Sequence, residues 1–290
     1  MFYFIATVLT NVVISAILKL FGRFRIDPLQ AIVVNYCVCV VTGCLFTGQM
    51  PFNTTTLQAP WLPWTLMMGV AFISIFNLMA YCTKVSGMTT MVLANKLSLV
   101  IPVICSLVLY NESAGAFKIT GIIMAFPAVY LITRTCEGGE GASRNLLWPA
   151  LLFVASGSLD TLVNHIQITY LHTNEAQAAC TIVCFATAGA TGVIILTAMV
   201  LMGKTQIKLK NIVAGICVGI PNFFSIFFLV KALHSGVFQS SATIPLLNVS
   251  ILIATAITAI LFFGERAGKW RIAGLILALT AILLIGFGDQ

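Results

Sequence analysis

Apolar residues arrive in runs of about twenty, broken by short polar stretches, and that spacing decides the class of fold. A helix rises about 1.5 Å per residue, so roughly twenty apolar residues match the hydrocarbon core of a bilayer. Ten such runs fit the chain of 290 residues: 2–20, 28–48, 61–83, 88–110, 116–134, 146–171, 175–202, 211–234, 237–263 and 268–287. Only 8% of residues are charged, against about 25% in soluble domains. Too few charges are present to coat a water-soluble globule. An all-α polytopic membrane protein of ten transmembrane helices is predicted; a soluble enzyme or nucleic-acid partner is excluded.

The chain also repeats itself. Residues 112–132 (ESAGAFKITGIIMAFPAVYLI) align without gaps onto 265–285 (ERAGKWRIAGLILALTAILLI), with ten identities in twenty-one. Shared Ile, Leu and Ala follow from apolar composition, but Glu112 over Glu265, Gly115 over Gly268 and Gly121 over Gly274 do not. The Gly-rich stretch 135–145 lies near the midpoint. We therefore read two five-helix repeats, 1–134 and 146–290, joined by the linker 135–145. An odd number of spans per repeat makes the two inverted in the membrane, an arrangement that places transporter sites at the repeat interface.

Loops after odd-numbered spans hold twelve of the fifteen Lys and Arg residues, while Lys118 and Lys231 lie on the other side and Lys96 lies inside a span. The positive-inside rule makes the basic side cytoplasmic and both termini extracytoplasmic. The net charge of +7 is thus assigned to orientation and anionic headgroups of the lipid bilayer. The nine cysteines include no C-x-x-C, and the close pairs Cys37 with Cys39 and Cys180 with Cys184 lack nearby His or carboxylate ligands, so no metal or other cofactor is expected.

LVLYNE (107–112) and ILFFGE (260–265), followed by ITG (119–121) and IAG (272–274), with KVSG (84–87) and LHSG (233–236) upstream, carry a resemblance over the whole chain. They resemble the EamA-type drug/metabolite transporter superfamily. The resemblance implies a cavity lined by helices 1, 3, 4, 6, 8 and 9, with helices 5 and 10 peripheral. Two features depart from the family pattern: the loop 49–60 is uncharged, and span four carries Asn95-Lys96.

Polar side chains are costly in hydrocarbon, so their faces locate the protein interior. On span six Ser156, Asp160, Asn164 and Gln167 fall within about 80° of arc. Thr7, Asn11 and Ser15 repeat that stripe on span one. Asn77 and Tyr81 join Ser74 on span three, Asn222 joins Ser225 on span eight, and Gln239 joins Thr243 on span nine. Such residues also hydrogen-bond helices together. Asp160 and Lys96 stand apart as charges inside spans: the acid is a candidate proton carrier or counter-charge for an amine, the lysine a partner for that acid or for a substrate anion. His165, on the other side of span six, is assigned to packing.

Together these features predict a secondary transporter of a small polar metabolite in a bacterial inner membrane, working by alternating access, with proton coupling as the candidate driving force. The site residues are Asp160, Lys96, Asn11, Asn164, Asn77, Tyr81, Asn95, Gln167, Asn222 and Gln239. A monomer or homodimer is expected, and no enzyme signature such as H-E-x-x-H or G-x-S-x-G occurs. A flippase or scramblase for lipids or lipid carriers is the rival reading.

Overall fold

The computed structural model describes residues 1–48, 54–109, 115–134, 147–171, 173–234, 240–265 and 268–287. All regular elements among them are helices: α1 (Phe2–Phe24), α2 (Pro28–Thr47), α3 (Thr54–Leu57), α4 (Leu62–Ser86), α5 (Met88–Leu97), α6 (Val100–Leu109), α7 (Ala116–Arg134), α8 (Leu147–Tyr170), α9 (Asn174–Leu201), α10 (Leu209–His234), α11 (Ser240–Phe263) and α12 (Lys269–Phe287). Eight helical segments are long and apolar enough to cross a membrane, and α12 adds a shorter apolar stretch, Ile272–Ile285. The chain is a polytopic integral membrane protein. The linker 135–145, Glu112 and Gln239 lie outside the described residues.

Helix ends follow local chemistry. Asp27 caps α2 by accepting from the Leu29 amide at 3.0 Å, with Pro28 at the first helical position, and Gly48 closes the helix in the left-handed region. The Thr173 hydroxyl caps α9 by accepting from the Ala176 amide.

One expected span departs from a continuous helix. The run 88–110 is split by a turn at Ser98–Leu99 into α5 and α6. Pro102 has no N–H to give the Ser98 carbonyl four residues back, and its ring crowds that oxygen. The carbonyl accepts instead from the Ile101 amide at 2.9 Å, a tighter turn than the α-helix uses.

The halves before 135 and after 146 are interleaved rather than set side by side. Helix α7 packs along α12, α2 and α1 along α10, and α4 along α9 and α8. Small residues allow these approaches. A Cβ on Gly215 would stand 2.5 Å from the Ala31 carbonyl oxygen, and one on Gly219 would stand 2.9 Å from that of Asn35. On α7, a Cβ at Gly121 would meet the Ala281 carbonyl of α12 at 2.9 Å.

The basic end of the bundle is stitched by polar contacts. Gln30 donates to Thr205 Oγ1 at 2.8 Å and accepts from Asn211 Nδ2 at 2.7 Å. Lys210 donates to the Phe24 and Arg25 carbonyls at the C-terminus of α1, where a cation also suits the helix dipole. Arg23, Arg25, Lys84, Lys204, Lys208, Lys210 and Lys269 are exposed at this end.

Candidate functional site

Interrupting a helix frees backbone groups and lets side chains leave its regular faces, a combination found at ion and substrate sites in transporters. At the α5–α6 turn, Asn95 Nδ2 donates to Ser156 Oγ of α8 at 3.1 Å. Ser98 Oγ donates to the Asn95 carbonyl at 2.5 Å and lies 3.4 Å from Asp160 Oδ2. Lys96 and Asp160 act on one another electrostatically. They do not form a contact ion pair of the kind seen at 2.9 Å between Lys19 and Glu265.

Asp160 is exposed although it points away from the outer surface. The outward stripe of α8 runs through Leu147, Leu151, Val154 and Ser158, all exposed. Asp160 lies two residues beyond Ser158, about 200° around the helix. Its flanks on the inner face, Ser156 and Gly157, are buried. Asp160 therefore lies on the inner side of α8, with Ser98 beside its carboxylate and the half-buried Asn95 and Lys96 on the facing element.

Gly157 makes this closeness possible. A Cβ there would meet Ile101 Cβ at 2.6 Å and the Ser98 carbonyl oxygen at 2.8 Å. Sequence reasoning passed over Gly157 and Ser98. The signal was present: Pro102 marks Ser98 as the residue whose carbonyl loses its amide, and Gly157 adjoins the span-six stripe.

The remaining expected site residues divide. Asn11 and Asn77 are half-buried, with amides turned to the carbonyls four residues back, Thr7 and Ile73. Asn164 is half-buried on the Asp160 face. Tyr81 is exposed, its ring 4.6 Å from that of Trp148. Gln167 falls within α8, but its side chain, like all of Gln239, lies outside the described set. Asn222 sits elsewhere: buried between α10 and α2, it donates to Asn35 Oδ1 at 3.1 Å. The face shared with Ser225 turns toward a neighbouring helix, because Gly219 lets α2 approach and its Asn35 needs a partner. His165 packs edge-on against Trp64 and Tyr170, and Lys231 lies over the Phe227 ring. No group of three or more His, Cys, Asp or Glu among the described residues is arranged to hold a metal ion.

The Asn222 placement has a measurable consequence. Asn222→Ala strips the amide donor from buried Asn35 Oδ1 and leaves only the weak Cys39 thiol, so unfolding should become easier by about 1–3 kcal/mol. Ligand-induced stabilisation of the protein should persist. Loss of ligand response with unchanged stability would return Asn222 to the binding site.

No family model matches the chain. An uncharacterized protein of Haemophilus influenzae is 25% identical over 293 residues, covering 99% of this chain and 98% of its own length. A solved crystal structure aligns over 99% of this chain and 95% of its own, with a TM-score of 0.57 and 15% identity. That likeness concerns the fold.

Proposed function

We propose that the chain is a secondary transporter for a small zwitterionic metabolite, worked by alternating access of two inverted five-helix repeats of the EamA type. The observation that carries this reading is an acid and a base, Asp160 and Lys96, brought to one helix turn with Asn95 and Ser98 without forming a contact ion pair. A ligand bearing both charges would neutralise each of them, which a singly charged one would not. The repeats gain support from the interlocked α7 and α12, whose Gly121 and Gly274 are both buried. Counting α5 and α6 as one crossing, and α3 as part of a loop, gives ten. Loop charges favour extracytoplasmic termini. A fluorescent reporter that matures only in the cytoplasm, fused after Gln290, is accordingly expected to stay dark; a bright fusion reverses the orientation.

A thermal-shift screen of purified protein tests the substrate reading. A ligand at about a hundredfold excess over its Kd stabilises the state it binds by about 2.7 kcal/mol. Small zwitterions should raise Tm, and Lys96→Met should abolish the rise. If lipid carriers shift Tm while zwitterions do not, the flippase reading replaces this one.

A further inference from the structure

Helix α5 is set off from its neighbours at both ends. Before it, Gly87 takes φ 93° and ψ 161°, a conformation open to glycine and strained for other residues. After it comes the Ser98–Leu99 turn. What remains is a half-helix of ten residues that bears Asn95 and Lys96 near its C-terminus.

Each end is pinned by residues from beyond position 146. At the C-terminal end Asn95 and Ser98 meet Ser156 and Asp160. At the N-terminal end Gly87 has no side chain to cap the helix, and the cap is supplied from 177 residues away. Glu265 Oε1 accepts from the Met88 amide at 2.7 Å, and Oε2 accepts from Thr89 Oγ1 at 3.0 Å and the Thr89 amide at 3.4 Å. Oε1 also accepts from Lys19 Nζ of α1 at 2.9 Å. Gly264, with φ 61°, turns the chain after α11, and the Glu265 amide donates back to the Ala259 carbonyl. The Glu265 side chain is 8% exposed, so it holds these donors largely out of water. A carboxylate at a helix N-terminus also suits the dipole.

We propose that Glu265 is a positioning residue that latches the α5 half-helix, so that the set of Asn95 and Lys96 at one end depends on a polar latch at the other. Thr89 and Lys96 are separated by about 10 Å of helix, and a rigid segment of that length transmits a shift from one end to the other. Opening the basic end of the bundle must break the Glu265 contacts and release α5. What that motion serves rests on the transporter reading; the latch itself does not.

Hydrogen–deuterium exchange on the full chain in lipid nanodiscs separates the two. Removing a buried charged acceptor should open the local structure, so Glu265→Ala is expected to speed exchange across 88–93 by at least about tenfold. Exchange in 116–134 and 269–287 should stay unchanged. Glu265→Gln, which keeps an acceptor but loses the ion pair, should fall between wild type and Glu265→Ala. Asn95→Ala, at the far pin, should speed the same 88–93 segment if α5 moves as a body. Wild-type exchange in Glu265→Ala, a uniform rise over the whole protein, or an Asn95→Ala effect confined to 95–99 would each overturn the proposal. No substrate is needed, so a screen that finds no transported metabolite leaves these outcomes intact.

Discussion

Asp160→Asn should yield a folded protein that no longer concentrates the metabolite which raises its Tm. Asparagine matches the carboxylate in shape and can still accept from Ser98, so packing against the α5–α6 turn is kept. What disappears is the charge opposite Lys96 and the capacity to carry a proton. A hydrogen bond to a charged group contributes about 1.5–3 kcal/mol, so affinity for a zwitterion should fall roughly 10- to 100-fold. Gradient-driven uptake into proteoliposomes should cease, while exchange of substrate without a gradient should persist at saturating concentration. Uptake that survives in Asp160→Asn with unaltered pH dependence would remove proton coupling from this residue. Failure to fold, by contrast, would show that the pair with Lys96 is structural.

The second large effect is expected at Gly157, where even Gly157→Ala introduces a Cβ into the Ser98 carbonyl and the Ile101 side chain. Ile101 Cδ1, the nearest atom at 2.5 Å, can swing aside, but Ile101 Cβ at 2.6 Å and the Ser98 carbonyl oxygen at 2.8 Å are fixed by the backbone. Helix α8 must back away from the turn, at a cost of about 1–3 kcal/mol from overpacking. The Asn95–Ser156 and Ser98–Asp160 contacts should lengthen together. Ligand-induced stabilisation should drop about tenfold or more in apparent affinity. Adding Ile101→Ala removes only the Cδ1 contact and should recover part of the stability but little of the affinity, because the Cβ at 101 and the Ser98 oxygen remain in the way. Ordinary ligand response in Gly157→Ala would show that the site tolerates a looser turn.

Much of the helical layout is legible in the sequence because hydropathy acts over whole spans. Helices α1, α2, α4 and α8–α12 begin and end within a few residues of the apolar runs, their boundaries marked by Asp27-Pro28, Gly48 and Thr173. Inside the spans the reading is weaker. Asp160 and Asn95 were recognisable because their polarity is costly in hydrocarbon, and the structure brings them to one turn. Asn222 was equally polar and equally striped, yet its partner is Asn35, a residue near no motif. Periodicity gives the direction of a face, not the identity of what lies opposite. Glu265 was visible as half of a repeated Glu–Ala–Gly pattern, but its donors at Met88 and Thr89 are set by tertiary contact alone.

The pairing of α2 with α10 also dictates an order of events during synthesis. Asn35 and Asn222, whose amides meet in the finished protein, are 187 residues apart. At about 5–20 residues per second, α2 waits about 10–40 s in the bilayer before the helix that covers its polar face has been made. Gln30 waits comparably for Thr205 and Asn211. Throughout that interval the Asn35 amide lacks its partner on α10, in a solvent that offers few. The first half of the chain is thus committed to the membrane well before it can reach its final packing, and a chaperone or translocon that shelters α2 would act in that window.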